Sequence, residues 1–225
     1  MNWDKSLFDS PRPRARVVFP PPLSASIAGL RRLAIPTQEI KGCWDDLLAR
    51  RQTDYRSTSI DIETAGAICW FTSRNICTFD GESGQLSHRP TPSAGALHPI
   101  ELVITGLLGS PGAWWYRADE HAFALLDGSD SALRALETEA ADCLPVEPAS
   151  QIWLLGDIEK VAAKYERPET LLLRDAGFLL CTLTFTATAM GLAPVPIGGT
   201  ANSVLPAGTE WSRPVVGLGG LHISR

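Results

Sequence analysis

The sequence contains few cysteines and histidines, and neither type is grouped in a way that would bind a metal or form disulfides. Its five cysteines are widely separated with no C-x-x-C pair, and its four histidines lie scattered between His88 and His222. Structural zinc sites need closely spaced pairs, and the disulfide frameworks of secreted domains need an even number of cysteines. We therefore expect no metal site and no disulfide, but the buried free thiols of a cytoplasmic protein.

Basic residues and membrane-length hydrophobic runs are also scarce. Lysine and arginine number 20 against 25 acidic residues, which gives a net charge of −5. Such a chain has no basic stripe, and its first ten residues lack the features of a secretory signal. One uncharged run, residues 176–190, would span about 22 Å as a helix, short of a bilayer core of about 30 Å. We expect no nucleic-acid or membrane partner and interpret this run as a buried core helix.

Proline-rich sequence marks the start of the chain, where P-R-P-R occupies residues 11–14 and F-P-P-P occupies residues 19–22. Such a segment is not expected to form a regular core element, so we predict an extended arm over residues 1–40. The arm could wrap a partner subunit or be a mobile tail. Residues 41–225 have the length and composition of a single domain with one core.

Hydrophobic patterning predicts an alternation of helices and strands within this domain. Helices are expected at residues 42–51, at 61–70 with Asp61 as N-cap, at 131–143 and at about 170–190. Strands are expected at I-E-L-V-I-T-G-L-L, A-W-W-Y-R, A-F-A-L-L-D-G, Q-I-W-L-L-G-D-I and R-P-V-V-G-L-G-G-L-H-I, with a loop over residues 80–87. The last helix is apolar nearly all round, which places it in a core or a subunit interface. The order predicts an α+β domain built around one sheet.

Three short motifs carry the candidate chemistry. They are P-S-A-G-A-L-H-P-I-E at residues 92–101, Lys164-Tyr165 followed by R-D-A-G at 174–177, and M-G-L-A-P-V-P-I-G-G at 190–199. Small residues in a loop let the backbone approach a flat or bulky group closely. Taken singly, the first motif is more typical of a tight turn, the lysine of an exposed salt bridge, and the Gly-Gly pair of any loop.

In their order and spacing the motifs resemble the flavin-dependent nitroreductase superfamily and, within it, the SagB-type azoline dehydrogenases. Those enzymes oxidise thiazolines or oxazolines in peptides to thiazoles or oxazoles. The resemblance extends from about Leu47 to the C-terminus and is sharpest at residues 92–101, where the family usually has Tyr in place of His98. It implies FMN as the cofactor. It also implies a nitroreductase-like α+β fold, with a central mixed or antiparallel sheet flanked by helices and a long buried helix near 170–190.

The resemblance also assigns roles to residues by their positions in the motifs. The small-residue loop and the Pro-Ile-Gly-Gly segment would lie on two sides of the flavin, and arginines after the first predicted helix would hold its phosphate. The implied cofactor-binding residues are Arg50, Arg51, Arg56, Pro92, Ser93, Ala94, Gly95, Leu97, Pro196, Ile197, Gly198 and Gly199. Lys164 and Tyr165 match the catalytic pair of the azoline dehydrogenases. The lysine, withdrawn from water, would remove a carbon-bound proton while a hydride passes to the flavin, and the tyrosine would orient the ring or relay the proton.

Departures from the family pattern leave other functions open. In A-R-R-Q-T-D-Y-R (residues 49–56), Gln52 stands where serine is expected and Asp54 where a second basic residue is expected. A carboxylate there would repel a phosphate at close range. The chain could therefore be an NAD(P)H-dependent nitroreductase or FMN reductase, or a flavin-free scaffold subunit of a biosynthetic complex.

The azoline hypothesis implies particular partners. The substrate would be an azoline in a peptide or a carrier-bound intermediate, and other enzymes of a biosynthetic complex would be further partners. Because flavin sites in the superfamily lie at a dimer interface, we expect a homodimer. The apolar helix suits such a contact, and Phe178, Leu183 and Phe185 are expected to contribute to it.

Overall fold

The computed structural model describes residues 10–37, 39–40, 42–81, 84–128, 130–201 and 210–225 of the chain. The helices in these ranges are α1 (Trp44–Arg50), α2 (Ile62–Ser73), α3 (Asp130–Cys143), α4 (Ile158–Lys164) and α5 (Glu169–Ala189). The strands are β1 (Arg12–Pro13), β2 (Ile27–Arg32), β3 (Cys77–Gly81), β4 (Gly84–His88), β5 (Ile100–Thr105), β6 (Trp114–Arg117), β7 (Ala122–Leu126), β8 (Ser150–Gly156), β9 (Tyr165–Glu166), β10 (Ala193–Ile197) and β11 (Val216–Ser224). All four predicted helices and all five predicted strands are present.

Seven strands form one antiparallel sheet in the order β10-β11-β8-β5-β6-β7-β2. Side chains alternate between its two faces, so Leu154 and Leu155 of β8 belong to different core clusters. The cluster on one face includes α2 and α5, and the other includes Leu136 and Ala140 of α3. Both faces are covered, and every residue of β8 is buried. This arrangement confirms the predicted α+β class.

The N-terminal segment contains more regular structure than its proline content predicts. β2 forms one edge of the large sheet by pairing with β7, and β1 pairs with β9. β2 is thus a regular element within the predicted extended arm, and its sequence I-A-G-L-R-R contains no proline to remove a ladder donor. The strand is mostly exposed, as an edge strand can be. The division into an arm and a domain stays a prediction.

Two other regions also differ from expectation. The described residues of the predicted loop, 80–81 and 84–87, belong to the paired strands β3 and β4, in which Phe79 pairs with Leu86. β10 contains Pro194 and Pro196, which break the usual strand pattern. Both prolines are tolerated because β10 is at the edge of the sheet that the described residues form, where it pairs with β11 alone.

Helix α5 coincides with the helix predicted at residues 170–190. By length and composition it could cross a membrane, but half of it is buried inside the fold, as a core helix would be. Leu173 and Phe178 lie on its outer side and are 61% and 54% exposed. The expectation that Leu183 contributes to an interface is wrong, because this side chain is fully buried in the core. Phe185 is half-buried and packs against α1.

All five cysteines are free, but only Cys69 is buried, and burial raises the pKa of its thiol. The prediction of buried thiols is wrong for Cys43, Cys77, Cys143 and Cys181, which are exposed. These four lie at the start of α1, in the hairpin, at the end of α3 and on the outer side of α5, where the core does not reach.

Candidate functional site

The motif at residues 92–101 forms a tight loop that leads into β5. Its centre is a 3₁₀ turn (Ala94–Ala96) in which Gly95 has a φ of +62°. Ala96 and His98 also have positive φ values, +56° and +45°. Such angles cost about 1–3 kcal/mol at residues other than glycine, so the loop needs support from its surroundings.

Asp175, from the R-D-A-G motif in α5, supplies much of that support. Its carboxylate accepts hydrogen bonds from the Ser93 hydroxyl at 2.5 Å and from the Ala94 N–H at 3.1 Å. The Ser93 oxygen in turn accepts a bond of 2.9 Å from the backbone N–H of His98. Burial raises the pKa of Asp175 above its ordinary value despite these hydrogen bonds. Helix α5 thereby fixes the shape of the loop.

Lys164 and Tyr165 lie at the end of α4 and the start of β9, directly against Gly95. The Nζ atom of Lys164 donates a hydrogen bond of 3.3 Å to the Gly95 carbonyl and lies 5.9 Å from the centre of the Tyr165 ring. A Cβ atom added to Gly95 would come within 2.6 Å of the Tyr165 hydroxyl and 2.8 Å of Lys164 Nζ. Glycine is thus required here both by its φ angle and by the side chains packed on it. The first two motifs, distant in sequence, meet in one place.

The N-terminal strap (residues 11–14) crosses the same place. β1 pairs with β9 so that Pro13 lies opposite Tyr165. The backbone N–H of Arg14 donates to the Lys164 carbonyl at 2.9 Å, and its Nε donates to another carbonyl of α4 at 2.7 Å. These bonds satisfy carbonyls at the helix end that lack partners within the helix. The P-R-P-R sequence therefore packs along the backbone of the Lys164-Tyr165 pair of its own chain.

His98 ties the loop to the β3–β4 hairpin. Its Nε2 atom lies 2.9 Å from the Ser87 carbonyl of β4. Burial, reinforced by the positive charge of Arg89, lowers the pKa of His98 to about 4. The ring is therefore neutral near pH 7, and we assign its proton to Nε2 because the neighbouring carbonyl can only accept.

A small cavity lies behind the loop, between α2 and α5. It has a volume of about 30 Å³ and is lined in part by Ser93, His98 and Asp175. Such a space holds about one water molecule and no substrate. A large ligand of the loop would therefore need space outside this cavity.

The predicted phosphate-binding arginines lie at the end of α1 and just beyond it, and all three are exposed. Arg50 pairs with Asp46 at 2.9 Å, and Arg56 pairs with Asp54 at 2.5 Å. Exposed ion pairs contribute about 0–1 kcal/mol, whereas a charge-assisted bond to a phosphate contributes about 1.5–3 kcal/mol. A phosphate could thus displace both carboxylates, and the role of the three arginines in binding the phosphate of FMN stays a prediction.

The third motif, residues 190–199, lies in a different part of the fold from the first two motifs. Its predicted flavin-binding residues are Pro196 and Ile197 in β10, and Gly198 and Gly199 directly after β10. Ile197 is buried on the face of the sheet that α3 covers, whereas Leu97 is buried on the α2–α5 face. A Cβ atom on Gly199 would lie 2.6 Å from the Glu139 carboxylate of α3. The structure therefore brings the first two motifs together but not the third.

Two carboxylates that sequence reasoning missed organise the site. Asp175 had a signal, because it belongs to the R-D-A-G motif at residues 174–177, although no role was assigned to it. Asp157 precedes α4, where its side chain accepts from the Lys160 N–H at 3.1 Å and pairs with Arg213. The side chains of this ion pair are only 2% and 10% exposed. Their distance in sequence left no local pattern by which to find the pair.

No protein-family model and no curated protein matches the sequence. Solved structures match its fold at low sequence identity. A protein assigned as a nitroreductase from Ralstonia eutropha JMP134 aligns with a TM-score of 0.63 and 13% identity over 93% of this chain and 97% of its own. A chain from the E. coli microcin synthetase McbBCD complex, with truncated pro-MccB17 bound, aligns with a TM-score of 0.59 and 20% identity over 75% and 65%.

Two further structures extend this comparison. A protein assigned as a nitroreductase from Anabaena variabilis ATCC 29413 aligns with a TM-score of 0.56 and 21% identity over 79% of this chain, which spans only 38% of that protein's length. A protein from Exiguobacterium sibiricum, also assigned as a nitroreductase and solved in complex with FMN, aligns with a TM-score of 0.52 and 12% identity over 84% and 90%. The chain therefore has the nitroreductase-like α+β fold that its motifs imply.

Proposed function

We propose that the protein is an FMN-dependent oxidoreductase that converts a thiazoline or oxazoline, in a peptide or a carrier-bound intermediate, to the aromatic azole. The observation that carries this proposal is the contact of Lys164 and Tyr165 with Gly95, in the loop proposed to lie against the flavin. A nitroreductase that passes hydride directly to its substrate has no need of such a base. The likeness of the fold to a chain of a peptide-modifying synthetase complex also favours a peptide substrate.

The chemistry assigns each side chain a task. Aromatisation removes one proton and one hydride from the azoline ring, so the product is lighter by two hydrogen atoms. Lys164 would take the proton from carbon, and its Nζ atom is directed by the Gly95 carbonyl to which it bonds. The Tyr165 hydroxyl, next to the same glycine, would orient the ring or pass the proton to solvent.

Bound FMN would supply the acceptor for the hydride. Arg50, Arg51 and Arg56 would hold its phosphate, and the backbone of Ser93 to Gly95 would lie against its ring system. Ile197 of the third motif packs on the opposite face of the sheet from Leu97 of the small-residue loop, and we infer that Pro196, Ile197, Gly198 and Gly199 meet the flavin of another copy. Their proposed role therefore requires a homodimer, in which a second copy completes the flavin site.

Oxidation of a synthetic thiazoline peptide, followed as a loss of two mass units, tests the proposal. Lys164→Met keeps the aliphatic stem but removes the base, so we expect a rate loss of about a hundredfold or more. The rate loss of Tyr165→Phe should be smaller than that of Lys164→Met if the tyrosine only positions the ring. It should be equally large if the tyrosine relays the proton. Glu159→Gln, on the exposed side of the same helix, is the matched control and should keep the wild-type rate.

The cofactor has a test of its own. Purified protein should absorb between roughly 350 and 500 nm, as oxidised flavin does. Arg50→Ala or Arg51→Ala should weaken FMN binding about tenfold or more, whereas Arg134→Ala on α3 should not. If no form oxidises the azoline or binds flavin, the protein is a scaffold. If both Lys164→Met and Tyr165→Phe reduce a nitroarene with NAD(P)H as fast as wild type and no azoline is oxidised, it is a nitroreductase.

A further inference from the structure

A second, much larger cavity lies outside this site, at the end of the sheet where β5, β6 and β8 approach α4. Its volume is about 460 Å³, within the range of about 300–1,000 Å³ typical of pockets for small molecules. Ala96 and Leu97 of the small-residue loop line it, but Lys164, Tyr165 and the three predicted phosphate-binding arginines do not. Nothing in the proposed azoline chemistry uses this space.

The charges that line the cavity are unusually numerous and unequally paired. The cationic lining residues are Arg89, Arg117, Lys160 and Arg213, and the anionic ones are Glu101, Asp119 and Asp157. Arg213 forms an ion pair with Asp157, and the Nη2 atom of Arg117 lies 3.4 Å from the Asp119 carboxylate. Glu101 accepts a hydrogen bond of 2.9 Å from the Trp115 indole N–H. Lys160 and Arg89 are the two cationic residues whose N–H donors are not all used by these contacts.

Neither of these two cations has a carboxylate in direct contact. Among the residues that the structure describes, none bonds or pairs with the Lys160 amino group. Arg89 bonds through Nε to Asn75 at 3.0 Å, which leaves its terminal nitrogens for a ligand. Burial lowers the pKa of Lys160, and the charge of Glu101 only partly opposes this. A half-buried cation without a partner is unfavourable, and an anion placed beside it would reduce that cost.

The remaining walls are largely apolar and include flat surfaces. Pro20, Pro21 and Pro22 line one side, and Trp115 and Leu86 line others. The proline wall is fixed in place, because Arg213 donates a hydrogen bond of 2.6 Å to the Pro21 carbonyl. Rings of proline and tryptophan suit a flat hydrocarbon body better than a flexible polar one.

We propose that this cavity binds an organic anion, namely a carboxylate carried on a flat apolar body. The carboxylate lies between Lys160 and Arg89, and the body packs against the three prolines and Trp115. Of the predicted flavin-binding residues this site shares only Leu97, and it requires neither bound FMN nor turnover. Its test therefore succeeds or fails independently of the azoline hypothesis.

Isothermal titration of the full chain with 1-naphthoate and its neutral isostere 1-naphthamide tests this proposal. The two probes share one shape and differ in charge, so wild type should bind the naphthoate at least about tenfold more tightly. Lys160→Met keeps the length of the side chain and removes the charge, and it should abolish that preference while binding of the naphthamide is unchanged. Arg134→Met, on the exposed surface of α3, is the control and should behave as wild type.

Three results would overturn the proposal. These are an absence of naphthoate binding at about 1 mM, equal affinities for the two probes, or an undiminished preference in Lys160→Met. Thermal unfolding without a probe shows whether Lys160→Met is folded. If it is not, Arg89→Met replaces it, and the same loss of preference is required of that variant.

Discussion

The carboxylate of Asp175 in α5 accepts a hydrogen bond of 2.5 Å from the hydroxyl of Ser93, 82 residues earlier in the chain. Asp175 also accepts from the Ala94 N–H, so one side chain serves two donors of a strained loop. These hydrogen bonds link the conformation of the loop to the position of α5, so a change in either element should affect the other.

Asp175→Ala should destabilise the protein, because it leaves the Ser93 hydroxyl and the Ala94 N–H without their acceptor. An unsatisfied buried polar group costs about 1–3 kcal/mol, which corresponds to a fall in Tm of about 3–10 °C for a chain of this size. Asp175→Asn keeps an acceptor oxygen and should lower the Tm much less than Asp175→Ala does. Calorimetry that shows equal Tm values for the two variants would contradict this account.

Gly95→Ala should also destabilise the protein, by a different route. The φ of +62° is unfavourable for alanine, and the new Cβ would meet the Tyr165 hydroxyl at 2.6 Å. Gly177→Ala is a matched control, since its Cβ would meet nothing within 4 Å and alanine favours the helix interior by up to about 1 kcal/mol. We expect the midpoint of urea unfolding to fall for the first variant and to stay or rise for the second.

Arg213→Met should be among the most damaging single substitutions at an arginine. It removes the partner of buried Asp157, and breaking such a pair typically costs about 3–5 kcal/mol. The exposed pair between Arg225 and Asp61 offers a comparison, and Arg225→Met should cost no more than about 1 kcal/mol. If chemical denaturation gives similar losses for both variants, burial does not set the importance of these pairs.

His98 should contribute to a loss of stability in mild acid. Its pKa is about 4 in the folded protein and 6.5 without the fold, so the unfolded chain binds more protons between these values. Stability linked to His98 is therefore intact above pH 6.5 and falls as the pH drops toward 4. The charged groups around it, Arg89, Lys160 and His88, all oppose its protonation.

His98→Asn tests this linkage, since asparagine tolerates a positive φ and does not titrate. The variant should lose less unfolding free energy than wild type between pH 7 and pH 4.5, measured in urea at each pH. Some dependence will remain, because burial also lowers the pKa values of His121 and His222. If the free energies of unfolding of variant and wild type change equally with pH, His98 is not a source of this pH dependence.

The exposed apolar surface of α1 and α5 should be the contact of a homodimer. Trp44, Leu48, Leu173 and Phe178 are all about half exposed or more, although each is large and apolar. Phe178→Glu should shift wild-type dimers to monomers in light scattering. Leu108→Glu, equally exposed but away from these helices, should not. A wild-type monomer that carries FMN would contradict both the dimer and the shared flavin site.

The sequence predicted best those parts whose signal is local. α5 contains most of the uncharged run at residues 176–190, and β8 contains the apolar run I-W-L-L. Asp61 caps α2 by accepting from Thr64, three residues away. The meeting of the small-residue loop with Lys164-Tyr165 agrees with a resemblance carried by intact motifs. Contacts that join distant polar residues, such as Asp157 with Arg213, left no such pattern in the sequence.

β10 shows why one strand escaped prediction. Pro194 pairs with Ile223 and Pro196 with Leu221, two positions apart on the strand. Successive amide groups of a strand point to opposite edges, so both missing N–H groups belong to the same edge. We infer that this edge is the outer one, because within the described part of the chain β10 pairs with β11 alone. Prolines that argue against a central strand are thus compatible with this one, and only the strand order reveals it.

The contacts of the N-terminal segment have a consequence for how the chain is made. Arg14 bonds to a residue 148 positions later, and Pro21 to one 192 positions later. At about 5–20 residues per second, a ribosome needs roughly 10–40 s to synthesise the later partner. During that wait the segment has nothing native to bind, and a chain rich in N–H donors would be free to pair with other strands. Its prolines remove those donors, so the same residues that wall the cavity also protect the nascent chain from premature β-pairing.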